Sequence, residues 1–251
     1  MLKQTFIHLP GVARRTEAYF WRRGLATWED FLAAPRVPGF SQPRLESLKA
    51  GLLDSLEHLD DPTYFTRLLP HQEHWRLYRW FRPRAVFLDI ETYGVTWPHL
   101  LVTVVGLSDG VNLRQFLQGR DLEKLPEVLS AYDIVITYNG SQFDLPVLKA
   151  YFPQLKIPPV HLDLRFILAR LGFRGGLKKI ESLVGLQRPP DVEGLNGYHA
   201  VLLWQRYQRG DVSSLELLLK YNQQDVMNLK VLMERAFDLN KERLLNWEGR
   251  G

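Results

Sequence analysis

Cysteine is absent from all 251 residues, which removes disulfides, thiolate zinc sites and cysteine nucleophiles at once. Metal chemistry in such a chain has to run through oxygen or imidazole ligands, so carboxylates and histidines are the residues to follow. Long apolar runs are missing too. No stretch approaches the ~20 residues of a membrane-crossing helix, and Met1-Leu2-Lys3-Gln4-Thr5 does not open an apolar secretory signal, so a cytoplasmic protein without membrane contact is expected. Strong net charge is likewise lacking, at +4 overall, but its distribution is uneven. Residues 1–84 hold 13 Lys and Arg against 9 Asp and Glu; the whole chain has 32 against 28, so the remainder balances at 19 against 19. A basic N-terminal third suits a polyanionic partner, and an ordinary solvated surface explains it as well.

What is present is globular in composition, 45% hydrophobic and 24% charged, and long enough for one α/β domain with a smaller attachment. Residues 1–70 read as short helices punctuated by Pro10-Gly11, Pro35 and Pro38-Gly39. Residues 71–84 read as a linker or a first edge element. From residue 85 to about 240 the texture becomes that of a mixed sheet flanked by helices. Ala85 to Glu91 is a buried strand. Leu101–Leu107 and Val111–Phe116 form a hairpin across Ser108-Asp109-Gly110. A helix over 121–131, a strand over 134–138, a helix over 144–152 and a short strand over Val160–Leu162 follow, and the rest is helical.

Asp89 and Glu91 stand two apart on the first strand, so both side chains leave the same face. Between Leu88 and Ile90 such a pair is costly to bury without a positive partner, although an exposed edge pair explains the spacing equally. Tyr138-Asn139-Gly140 ends a buried strand in a turn, and Asp144 opens the next helix, where a plain N-cap is the alternative to a ligand. Tyr221 and Asp225 are one helical turn apart on a shared face, the alternative being a packed phenol and a surface acid.

Taken in order, strand Asp-x-Glu, turn Asn-x-x-x-Phe-Asp and helix Tyr-x-x-x-Asp, the chain resembles the DnaQ-like DEDD exonuclease superfamily. Within it the sequence is similar to the YprB-type ribonuclease H-like branch over roughly residues 76–238. The matching motifs are Phe87-Leu88-Asp89-Ile90-Glu91-Thr92, Thr137-Tyr138-Asn139-Gly140, His161-Leu162-Asp163-Leu164 and Tyr221-Asn222-Gln223-Gln224-Asp225-Val226. The resemblance implies a ribonuclease H-like α/β fold preceded by a small all-helical domain. It also implies a 3′–5′ exonuclease with two Mg²⁺ or Mn²⁺ held by Asp89, Glu91, Asp144 and Asp225. Two such ions about 4 Å apart serve an in-line displacement at phosphorus, and the resemblance makes Tyr221 the residue that orients the attacking water.

Thr92, Asn139, Phe143 and Lys178 are expected on the substrate side, with Phe143 equally a core residue and Lys178, like Lys179, equally part of a solvated helix face. Asp163 reads as an N-cap with a supporting role open to it, and His161 is not needed as a ligand. Further upstream, His8 to Arg15 and Trp21 to Leu32 look like a helix-hairpin-helix unit, with Val37-Pro38-Gly39-Phe40 a degenerate second hairpin. Such hairpins grip phosphates without reading bases, but Ala13 stands where a second glycine is usual, and a purely structural cap is the alternative. Residues 75–84 interleave aromatics with arginines, which suits stacking on single-stranded bases or inward packing of the rings. The partner expected throughout is nucleic acid, as a single-stranded end or a duplex, DNA or RNA. A binding module without catalysis and an endonuclease on structured or hybrid substrates remain the competing readings.

Overall fold

A computed structural model describes residues 1–94 and 100–246, and the chain divides into two compact units. The first unit comprises Met1–Arg82 and the chain from Phe237 onward. After a 3₁₀ turn at Leu2–Gln4 it carries helices α1 (Arg14–Arg22), α2 (Trp28–Ala33), α3 (Gln42–Glu57), α4 (Pro62–Leu68) and α5 (Tyr78–Phe81). Its core is aromatic, with Phe6, Phe20, Trp28, Phe31 and Phe65 fully buried. Helix α2 starts on a capping box in which Thr27 and Asp30 bond each other's backbone N–H groups.

Residues 71–84 are not an edge strand: they are helical turns, 3₁₀ at His71–Leu77, α5, then 3₁₀ at Arg82–Arg84. The reason is a buried ion network. Arg76, fully buried, donates to Glu17 Oε1 at 2.8 Å, to Glu17 Oε2 at 3.0 Å and to Glu73 Oε2 at 2.7 Å. Glu17 also accepts from the Phe6 N–H at 2.6 Å, and Arg14 pairs with Glu73. With its charge neutralised the segment packs inward, taking Trp75, Tyr78 and Phe81 with it. The first proposed hairpin, at Pro10-Gly11, lies between the 3₁₀ turn Leu2–Gln4 and α1. The second, Val37–Phe40, is the one with helices on both sides, α2 and α3.

The second unit, Pro83–Ala236, contains the mixed sheet. Strands β1 (Ala85–Tyr93), β2 (Leu101–Ser108), β3 (Leu113–Leu117), β4 (Ile134–Thr137) and β5 (Val160–Asp163) lie in the order β3-β2-β1-β4-β5. β1 pairs antiparallel with β2 and parallel with β4, and a register shift falls between Glu91 and Thr92. β3 begins at Leu113 and not Val111, since the Asp109 carboxylate accepts from the N–H groups of Val111 and Asn112, each at 2.8 Å, and lengthens the turn. The helix expected over 121–131 is a 3₁₀ turn followed by α6 (Leu125–Leu129), with Pro126 in its first turn. α7 (Asp144–Tyr151), α8 (Leu164–Arg170), α9 (Leu177–Leu183), α10 (Gly197–Gln208) and α11 (Val212–Leu245) complete the chain.

Each face of the sheet has its own core. Val86, Leu88 and Ile90 pack with Leu125, Leu129 and Leu148 of α6 and α7. On the other face Val104 and Leu117 pack with Leu203, Trp204, Leu218 and Tyr221 of α10 and α11. Among the described residues no helix is long and apolar enough to cross a membrane.

Candidate active site

The alternation that sends Leu88 and Ile90 into one core sends Asp89 and Glu91 to the opposite face, the one α11 covers. How near α11 comes is set by Gly106, the cross-strand partner of Asp89. A Cβ at Gly106 would collide with Asn222 Oδ1 and stand 2.6 Å from Val226 Cγ2, so only glycine permits this approach. The result is that a ligand oxygen each of Asp89, Glu91 and Asp225 lie within 4.8 Å of one another. Asp144 joins them across a cavity of about 320 Å³ that is also lined by Thr92, Asn139, Phe143 and Tyr221. Eight of the nine residues singled out from the sequence therefore face one space. The ninth, Lys178, reaches it indirectly, donating to the Tyr221 hydroxyl at 3.1 Å and lying 4.6 Å from its ring centre.

Asp144 occupies the first turn of α7 but does not cap it; Phe143 is the N-cap residue and makes no side-chain cap bond. The Asp144 carboxylate instead accepts from its own N–H and from that of Ile90, and burial outweighs these bonds, pushing it up to about 7. Asp163 does cap α8, accepting from the Arg165 N–H at 3.1 Å. It also receives the Asn139 N–H at 2.8 Å and the Ser141 hydroxyl at 2.6 Å, and so ties the turn after β4 in place. There Asn139 holds a left-handed φ of 67°, a conformation that asparagine tolerates better than most residues. His161 bonds the Thr137 hydroxyl at 2.8 Å and is no member of the acidic cluster.

The electrostatics are those of crowded, dehydrated carboxylates. Burial, and after it the charges of Asp225, Glu91 and Asp144, holds Asp89 well above the usual carboxylate range. Glu91 is raised in the same way, by burial and then Asp225, and its Oε1 is buried with no hydrogen-bond partner among the described residues. Asp225 is raised by burial against the pull of Arg188. Burial, and then the carboxylates around it, keeps the Tyr221 phenol protonated. Hard oxygen donors converging on one point, one of them unpartnered, fit a divalent cation of the Mg²⁺ or Mn²⁺ type.

Three participants escaped the sequence reading. Asn222 donates to the Asp89 carboxylate at 3.2 Å and is itself oriented by Gln115, whose amide donates to Asn222 Oδ1 at 3.1 Å. Arg188, only 7% exposed, bridges Asp225 and Glu181, reaching Glu181 at 2.6 and 2.7 Å. It sits in the non-helical stretch between α9 and α10, immediately before Pro189-Pro190. A residue before proline is kept extended, which is the one local sign that this side chain is presented by a loop.

A family model described as the RNase_H superfamily matches residues 86–237. No curated relative matches the sequence significantly. Among solved structures, the family B DNA polymerase of the hyperthermophilic archaeon Pyrobaculum calidifontis is 20% identical over 60% of this chain and 24% of its own, with a TM-score of 0.49. Escherichia coli RNase D, an exoribonuclease involved in structured RNA processing, is 18% identical over 70% of this chain and 48% of its own, with a TM-score of 0.43. Brucella melitensis NrnC is 19% identical over 68% of this chain and 90% of its own, with a TM-score of 0.40. The chain thus spans less than half the length of the first two.

Proposed function

This chain belongs to the RNase H superfamily, and from that premise we propose that it is a divalent-metal-dependent 3′–5′ exonuclease of the DEDD type, in the YprB-like branch. The observation that carries the reading is the convergence of Asp89, Glu91 and Asp225 within 4.8 Å, with Asp144 on the same cavity. Two Mg²⁺ or Mn²⁺ ions, when bound, would supply charge stabilisation at phosphorus and a more acidic water. Asp89, Glu91, Asp144 and Asp225 would hold them. Asn222 and Gln115 keep the Asp89 carboxylate aimed at the cavity. Tyr221, protonated and at the cavity wall, donates a hydrogen bond to the attacking water. Thr92, Asn139 and Phe143 contact the terminal nucleotide, and Lys178 sets the Tyr221 hydroxyl. The helical unit is proposed to bind nucleic acid backbone, with Arg36 and Arg44 flanking the Val37–Phe40 hairpin.

End-labelled single-stranded, duplex and hybrid DNA and RNA, each incubated with Mg²⁺, Mn²⁺ or chelator, test the reading. Progressive metal-dependent shortening from the 3′ end that disappears in Asp89→Asn supports it. Internal cuts would replace it by an endonuclease, and substrates that stay intact under every condition by a binding module.

A further inference from the structure

A second and larger cavity, of about 650 Å³, adjoins the acidic one and shares Tyr138 and Asn139 with it. Its outer wall comes from α8 and from the loop between α8 and α9: Arg165, Phe166, Arg174 and Gly175. Among the described residues, no acidic one lines it. Phe166 is 42% exposed, an aromatic ring left facing solvent, and both arginines are exposed. The wall is held in place. The Tyr138 hydroxyl donates to the Gly175 carbonyl at 2.6 Å, fastening the loop to the end of β4. Arg165 Nη1 donates to Asn139 Oδ1 at 2.5 Å and to Gln142 Oε1 at 3.0 Å, so its guanidinium stands at the boundary between the two cavities.

Side by side, the two spaces carry opposite charge. The acidic one suits cations and repels a polyanion; the neighbouring one offers two guanidinium groups and an open ring, and its volume is that of a small-molecule site. Guanidinium forks recognise phosphate oxygens, and an exposed ring accepts any base by stacking. We propose that this cavity is a second nucleotide subsite, taking the nucleotide next to the one whose phosphodiester lies over the acids. Phe166 stacks on its base, and Arg165 and Arg174 pair with its phosphates. A base on Phe166 has left its duplex partner, so the ligand class is single-stranded nucleic acid read without base preference. The assignment rests on the nuclease reading for its neighbour, but its test does not.

The 251-residue chain and two variants, Phe166→Ala/Arg174→Ala and Arg174→Glu, separate the possibilities; both positions are exposed, so folding is not at stake. The kinetic arm compares a single-stranded oligothymidylate with thymidine 5′-monophosphate p-nitrophenyl ester, which carries no second nucleobase and no second phosphate for the neighbouring cavity. The binding arm titrates the fluorescently labelled oligonucleotide, and thymidine 5′-monophosphate as competitor, with Ca²⁺ present. The expected result is a fall of about tenfold in kcat/KM for the oligonucleotide relative to the ester, with a matching rise in the oligonucleotide Kd. An unchanged ratio together with an unchanged Kd overturns the subsite, and so does a mononucleotide affinity that falls as far as that of the oligonucleotide. Should the wild-type protein cleave neither substrate yet bind the oligonucleotide through Phe166 and Arg174, the nuclease reading fails and the subsite stands. No binding by the wild-type protein removes the subsite.

Discussion

At the residue scale the site is governed by carboxylates that would rather be neutral. For Asp144 the folded value, about 7, lies above its ordinary 3.8, and Asp89, Glu91 and Asp225 are displaced in the same direction, by burial first. A raised carboxylate binds its proton more tightly when folded, so its contribution to stability is complete below the unfolded value and is lost as pH rises through the folded one. Metal-free protein is therefore expected to lose melting temperature between about pH 4 and pH 7, and Mn²⁺ to restore most at the upper end. Melting curves at several pH values with chelator and with Mn²⁺ measure this, and a metal-free melting temperature that rises over that interval would contradict the assignment. Arg188 gives the complementary case. Replacing it by methionine leaves Glu181 and Asp225 without their cation, for which a cost of roughly 3–5 kcal/mol is expected in chelator. Mn²⁺ should recover part of that cost through Asp225, and denaturant titration with and without the ion reads both.

Among the elements, β2 and α11 set the geometry between them. Gly106 lets the helix reach the sheet beside Asp89, and Asn222 and Asp225 are carried there together. Gly106→Ala is expected to push α11 outward, cost on the order of 1–3 kcal/mol and lower nuclease activity more than tenfold in the fraction that remains folded. Circular dichroism melting beside single-turnover cleavage separates the two losses; full activity in this variant would mean that the helix position is not critical. The turn after β4 works differently. There the Asp163 carboxylate, at the end of β5, accepts from the N–H of Asn139, which stands at a φ of 67°, so the turn is shaped partly from the neighbouring strand and partly by its own bonds, such as Gly140 N–H to the Thr137 hydroxyl.

For the molecule as a whole, charge buried in the helical unit matters as much as the aromatic core. The Glu17–Arg76–Glu73 network has no exposed side chain beyond 2%. Arg76→Ala leaves the buried Glu17 carboxylate without its cation, while Glu73 keeps Arg14, and is expected to destabilise by about 3–5 kcal/mol, read by urea denaturation; a change below about 1 kcal/mol would show that water replaces the guanidinium. His8 in the same unit is buried against Ser55 at 3.0 Å, and burial lowers it from 6.5 to about 4. A depressed histidine keeps its full contribution above the unfolded value and loses it as pH falls through the folded one. Acid unfolding is thus expected to steepen between pH 6.5 and about 4, and His8→Gln to flatten that slope.

Much of the sheet and the positions of the four candidate acids could be read along the chain, because period-two burial, turn chemistry and the helical repeat are local. Asp89 and Glu91 share a face by alternation alone, and Tyr221 and Asp225 by one turn of helix. Boundaries slipped where a side chain outside the periodic pattern took over, as at the Asp109 turn before β3. Whether 71–84 is an edge element or an inward-packed helix stayed open along the chain because what decides it, Arg76 meeting Glu17, spans 59 residues. Which partners each acid would have was beyond any local pattern. Arg188 reaches Asp225 from a loop 37 residues away, and Asn222 reaches Asp89 across 133. The sequence by itself determined where the acidic and aromatic candidates stand and which way each points within its own element. Only the tertiary structure decided how near they come, since that depends on burial, on charge neutralised from elsewhere, and on a glycine whose missing side chain lets a helix lie against a strand.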